Sequence, residues 1–200
     1  PFINTHFHHL LVAPNDMRQP LYQMINKEIR LARAGKDAFI RLKLNHVVDE
    51  KMVAKLYEAC TAGVRVELCL RGNCSLIPGV PGYSEGLFIN AIISRYLEHS
   101  RIYIFGNDGE PKYYIGSTDW MTRNLDRRIE VMTPVYDPDI QRELDFVISA
   151  GLRDTEQGYY TNGEEVRPRR EDIDDKTELF NSQQALYQYY VAKKKEENHG

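Results

Sequence analysis

No stretch of this 200-residue chain comes near the ~20 consecutive apolar residues that a membrane-spanning helix needs. Cysteine is scarce. Cys60, Cys69 and Cys74 are odd in number, and their spacing fits no common zinc pattern. Cys60 and Cys69 sit in apolar surroundings, as reduced core thiols do, so the expected compartment is the cytoplasm, with membrane association left open. Positive charge is not in excess: 26 Lys and Arg stand against 29 Asp and Glu, a net charge of −3. A dedicated nucleic-acid module carries a basic field, so nucleic acid is not an expected partner. Any anion has to be held by local arginines. No internal repeat is visible. The chain opens on Pro1 rather than Met and reads as part of a longer polypeptide.

What is present suits a globular domain. Hydrophobic residues make up 42% and charged residues 28%, so a core of ordinary proportions can form without disulfide or metal. Leu21, Met24, Ile25, Ile29 and Ala32 recur at helical spacing, predicting a helix from Asn15 or Asp16 to about Ala34. Residues 38–44 alternate as a strand, Asp49 caps a second helix that Gly63 ends, and residues 64–71 alternate again. Strand, helix, strand in that order predicts a parallel βαβ unit. Residues 72–86 are a Gly- and Pro-rich loop, and residues 87–99 read as a short strand running into a helix that ends near His99. Strands are expected at 102–105, 113–115 and 127–135, and an amphipathic helix at 137–150. Residues 1–14 read as a connecting segment, 152–178 as a charged surface loop and 178–195 as a docking helix, leaving 15–200 as one domain of α/β class.

Chemistry-bearing residues cluster after the predicted strands. Arg71 closes a strand ahead of the Gly- and Pro-rich loop. Ligands of open α/β sheets bind beyond the carboxyl ends of parallel strands, where a guanidinium can grip phosphate oxygens as a fork. An arginine merely leaving the sheet for solvent gives the same pattern. His99 and Arg101 point the same way if the chain there is extended. A histidine is a nucleophile or general acid toward phosphate, and a nearby cation stabilises charge on the transferring oxygens. By spacing alone, a histidine capping a helix C-terminus explains the pair better. Ser117 and Asp119, in Gly116-Ser117-Thr118-Asp119-Trp120, either orient His99 or cap a helix. Arg123 and Arg127 either extend an anion track or lie on a solvated loop. His6, His8 and His9 read as linker residues, His46 has no obvious partner, and no metal-ligand set is identified.

Taken together, several strings resemble the polyphosphate kinase family. They are Val66 to Arg71 with Gly72-Asn73-Cys74-Ser75-Leu76-Ile77-Pro78-Gly79-Val80-Pro81-Gly82, then Arg95-Tyr96-Leu97-Glu98-His99-Ser100-Arg101-Ile102-Tyr103. They continue with Ile115-Gly116-Ser117-Thr118-Asp119-Trp120-Met121 and Arg123-Asn124-Leu125-Asp126-Arg127-Arg128-Ile129-Glu130-Val131. Leu10-Leu11-Val12-Ala13-Pro14 is similar to that family's segment entering this domain, and the likeness spans about residues 10–150.

The resemblance implies a phospholipase-D-like mixed β-sheet flanked by helices. It makes the chain the C-terminal catalytic domain of a longer enzyme whose site forms between two such halves. His99 matches the family's second histidine and Arg71 a nucleotide-phosphate contact, while the histidine that becomes phosphorylated lies in the upstream half. Arg101 stands where the wider phospholipase D pattern has lysine, and Asp119 where it has asparagine. The implied substrates are ATP, giving ADP, and inorganic polyphosphate. The implied cofactor is Mg2+, whose ligands are not found in this chain, and the implied partners are the upstream domains and further copies in a homo-oligomer. A phospholipase-D-like phosphodiesterase or nuclease half-site, or a module that binds nucleotide or polyphosphate without turnover, are the alternatives.

Overall fold

The computed structural model describes residues 7–161, 166–174 and 176–197, so His6 lies outside it. Its strands are β1 (Leu11–Ala13), β2 (Phe39–Lys43), β3 (Arg65–Leu70), β4 (Leu87–Ile92), β5 (Ile102–Phe105), β6 (Lys112–Gly116), β7 (Glu130–Val135), β8 (Gly158–Thr161) and β9 (Val166–Pro168). Its helices are α1 (Arg18–Arg33), α2 (Glu50–Thr61), α3 (Thr122–Asp126), α4 (Pro138–Arg153) and α5 (Ser182–Glu197). The strands form one mixed sheet in the order β1-β7-β6-β5-β2-β3-β4-β8-β9. β2, β3 and β4 run parallel and every other pair is antiparallel. The expected βαβ unit is therefore β2–α2–β3.

The period-two alternation of the strands divides the core between two faces. Ile40, Leu42, Val66, Leu68, Leu87, Ile89 and Tyr103 meet the buried stripes of α1 and α2, which carry Leu21, Ile25, Met52 and Leu56. On the opposite face Cys69, Ile92, Ile102 and Ile104 pack with Ile148 and Leu152 of α4. α5 covers α4 in turn, with the Phe146 and Tyr189 rings 4.6 Å apart. Among the described residues no helix is long and apolar enough to cross a membrane.

Four expectations need correction. Within the segment read as a connection, residues 11–13 form edge strand β1, paired antiparallel to β7 with Ala13 fully buried, because this apolar triplet satisfies an otherwise open sheet edge. The helix expected before His99 does not form. β4 takes the apolar residues up to Ile92, and beyond it Ile93, Tyr96 and Leu97 are 66%, 55% and 69% exposed, leaving no apolar stripe for a helix to bury. The surface loop expected at 152–178 instead contains the hairpin β8–β9, which extends the sheet from β4 through Ala91↔Tyr159 and Ile92↔Gly158. Residues 162–165 and 175 of that stretch lie outside the described residues. The strand expected from Arg127 begins at Glu130, because residues 122–126 form the short helix α3.

One ionic cluster ties α1, α2 and α3 together. Asp49 caps α2, accepting from the Met52 amide at 3.0 Å, and also takes Arg18 Nη1 at 2.7 Å and Thr122 Oγ1 at 2.8 Å. Arg18 reaches on to Asp126 at 2.8 Å. Burial pushes the Asp49 carboxyl up, but the bonds from Arg18, Thr122 and Met52 more than offset it and hold the group below the usual aspartate range. Asp49→Ala removes a helix cap and the buried partner of Arg18 at once. A urea melt at neutral pH should show a loss on the order of 3 kcal/mol.

Candidate active site

The sheet order decides where chemistry can converge. The C-terminal ends of β2, β3, β4 and β6 and the N-terminal ends of β5 and β7 all reach the same edge of the sheet. Residues 45–48, 71–75, 93–101 and 117–120 leave the sheet there. Their backbones lock together. Trp120 O accepts from the Val48 and Asp49 amides at 2.9 and 2.8 Å, the Trp120 amide donates to His46 O at 3.1 Å, and the Val47 amide donates to Asn73 O at 3.0 Å. The Trp120 side chain beneath them is fully buried.

Asp119 is the hub of this edge. Its buried carboxylate accepts from the Asn45 amide at 2.8 Å, the His46 amide at 3.3 Å, Arg101 Nε at 3.2 Å and Arg101 Nη2 at 2.9 Å. Burial alone would raise its pKa, but the Arg101 guanidinium and the Asn45 amide lower it below the usual aspartate value. The remaining Arg101 nitrogen, Nη1, lies 3.2 Å from His99 Nδ1 and 3.0 Å from His99 O. A guanidinium only donates, so His99 Nδ1 is the acceptor in this contact. The neutral ring then carries its proton on Nε2. Asp119 thus acts on His99 through Arg101, not by direct contact.

Arg71 joins the same chain of contacts. Its Nε donates to Asn45 Oδ1 at 3.0 Å, and Asn45 Nδ2 approaches Asp119 Oδ2 at 3.4 Å. The sequence carries no signal for Asn45 beyond its place two residues past the end of β2, a parallel strand. His46 was also underrated. Its Nδ1 accepts from the Asn73 amide at 3.0 Å, and its ring occupies the space over Gly72, where an added Cβ would meet Cε1 at 2.3 Å. His46 and Arg71 line a cavity of about 400 Å³ with Tyr96 and Leu97. His99 and Arg101 line a larger cleft of about 800 Å³, closed by Thr133 of β7 and by Leu186 and Tyr190 of α5.

Other expected residues are placed differently. Ser117 does not meet His99: its hydroxyl donates to Glu130 Oε2 and accepts from the Val131 amide at 3.2 Å, fastening the loop after β6 to β7. Arg123 and Arg127 are exposed on or beside α3 and line neither cavity. His9 lies 3.1 Å from the Tyr136 hydroxyl. Among the described residues, no group of three or more His, Cys, Asp or Glu side chains is arranged to hold a metal ion.

Known proteins are similar to this chain. The sequence family described as polyphosphate kinase C-terminal domain 2 matches residues 10–183. Polyphosphate kinase of Parasynechococcus marenigrum is 47% identical over 171 residues, covering 84% of this chain and 24% of that protein. That of Thermosynechococcus vestitus is 51% identical over 150 residues, 75% of this chain and 20% of that protein. The chain thus spans about a quarter of the length of these relatives. The crystal structure of polyphosphate kinase from Porphyromonas gingivalis superposes with a TM-score of 0.89 at 33% identity, over 98% of this chain and 30% of that one. NucT from Helicobacter pylori matches with a TM-score of 0.52 at 12% identity, over 72% and 93% of the two chains. A phospholipase D family member, Nuc from Salmonella typhimurium, matches with a TM-score of 0.52 at 12% identity, over 74% and 93%. These two share the fold alone, and with them the expected phospholipase-D-like mixed α/β architecture is met.

Asp119→Asn replaces an acceptor-only group with one that sets an N–H against the donors of Arg101 or Asn45. The native contribution of Asp119 is present above the usual aspartate range and is lost as pH falls through its depressed folded value. Chemical unfolding near neutral pH should therefore show the variant less stable by roughly 3 kcal/mol, with the gap to wild type narrowing in acid.

Proposed function

The chain belongs to the family of polyphosphate kinase C-terminal domains, and from that membership we propose that it supplies one half of a site moving the terminal phosphate of ATP reversibly onto polyphosphate. The observation that carries this reading is the linked series Arg71–Asn45–Asp119–Arg101–His99, which sets two guanidinium groups and one oriented imidazole on a single sheet edge.

The roles follow from the bonds each group already makes. Arg71 uses Nε on Asn45, and its two terminal nitrogens form the fork that binds nucleotide phosphate oxygens. Arg101 is engaged on both sides, by Asp119 and by His99, so it orients the imidazole and sets the local positive field. His99 presents Nε2–H as a donor to the transferring phosphate or to the leaving oxygen. The nucleophile is a second histidine elsewhere in the longer polypeptide. Its nitrogen attacks the γ-phosphorus, the bond from that phosphorus to the bridging oxygen breaks, and the electron pair leaves on ADP. A terminal polyphosphate oxygen then attacks the same phosphorus and releases the histidine. The longer polypeptide works as a homo-oligomer.

The resemblance also implies magnesium, but the described residues do not fit it. The carboxylates beside His99 are Glu98 and Asp119, and both are ion-paired, to Lys43 at 2.6 Å and to Arg101 at 2.9 Å. No step is therefore assigned to the ion here.

In the complete enzyme, His99→Ala should lower polymer synthesis by about 10²–10⁴-fold with an unchanged melting temperature. Near-normal synthesis would remove His99 from the reaction. The 200-residue chain alone, incubated with ATP, should acquire no acid-labile phosphate. Such phosphate on His99 would make it the nucleophile instead of its helper.

A further inference from the structure

His99 sits on a segment, residues 93–101, that is neither helix nor strand. Such a segment would ordinarily wander, yet alternate residues of it are held from one side. Ser94 Oγ donates to Gln157 Oε1 at 2.8 Å. The Tyr96 backbone is gripped twice by Gln183, which accepts from its amide at 3.0 Å and donates to its carbonyl at 2.8 Å. Glu98 takes Gln183 Nε2 at 2.7 Å on one oxygen and Lys43 Nζ at 2.6 Å on the other. Residues 95–97, 99 and 100 are exposed, Tyr96 being held by its backbone alone. The segment is thus fastened through residues 94, 96 and 98 while His99 is left exposed.

The pins themselves are buried. Lys43 lies in β2 and is 3% exposed, and Gln183 in the first turn of α5 is 8% exposed. The neighbouring Ser182 fixes the start of α5, donating from its amide and hydroxyl to the buried Asp154 at 2.8 and 2.5 Å. Charge gives a second reason for the arrangement. A free carboxylate one residue from His99 would repel phosphate; paired with Lys43, Glu98 does not.

We propose that Gln183 and the Lys43–Glu98 pair are positioning residues for the phosphotransfer, a latch through which α5 sets where His99 meets the phosphate. The inference rests on the reading of His99 given above. α5 is then part of the active-site apparatus, and its Leu186 and Tyr190 form a wall of the same cleft.

The test uses the complete kinase polypeptide, with initial rates measured against ATP concentration. Gln183→Ala should lower kcat roughly tenfold to a hundredfold, as small misplacements of catalytic groups do, while KM for ATP stays within about twofold because Arg71 is untouched. If that variant fails to fold, the near-isosteric Gln183→Glu carries the same expectation, since its carboxylate faces that of Glu98. Adding Glu98→Gln to Gln183→Glu restores an amide–carboxylate contact and one negative charge near Lys43, though not the bond to the Tyr96 carbonyl, and should recover part of the lost kcat. An unchanged kcat, a rise in KM alone, or no recovery in the double variant would overturn the latch. His99→Ala in the same assay separates the two levels. If it stays active, the reading of the site fails and the latch with it; if it is inactive while Gln183→Ala turns over normally, the latch alone fails.

Discussion

A buried carboxylate has to be surrounded by donors or it will not stay charged, and Asp119 meets that requirement with groups from two other loops. Two backbone amides come from the turn after β2 and two guanidinium nitrogens from Arg101 before β5. Stripping water from such a group costs several kcal/mol unless every lone pair is met. The loops therefore cannot shift independently without exposing that cost. The position of His99, the orientation of Arg101 and the reach of Arg71 through Asn45 all follow from this one satisfied charge.

Arg101 and Asp119 are also the two positions at which the resemblance implies a departure from the wider phospholipase D pattern, with lysine and asparagine expected there. In the structure they contact one another at 2.9 Å. An ammonium is a point charge and cannot hold a carboxylate in two bonds while reaching a ring nitrogen on the other side; a planar guanidinium can. The two departures thus form one coupled change. It is centred on holding an imidazole in a chosen tautomer.

Much of the fold was legible because its signals are local. Alternation in residues 38–44 and 64–71, the Asp49 cap and the apolar stripe of α1 give β2–α2–β3 directly. Strand β1 and the hairpin β8–β9 were not legible, because short, polar-flanked segments become strands only when a sheet edge is there to pair with. The helix expected before His99 failed for a related reason: Ile93, Tyr96 and Leu97 have helical spacing but no surface to bury against. Arg71, His99, Arg101 and Asp119, which the structure brings together, were legible as candidates from their places after or before strands and from ordered family-like strings. Asn45 and Gln183 were not, since their value lies in bonds to residues 74 and 85–87 positions away in sequence. Ser117 lines the same cleft as His99, but its hydroxyl turns toward Glu130 on the neighbouring strand.

The account stands on His99 being held with Nδ1 as acceptor and Nε2 protonated. Nitrogen-15 NMR of the histidine rings, in a pH range where His99 is neutral, reads this tautomer directly. His99 should show a protonated Nε2 and a bare Nδ1, with loss of that preference in Arg101→Ala. A ring protonated on Nδ1 in the native protein would contradict it, since no guanidinium could then bond there.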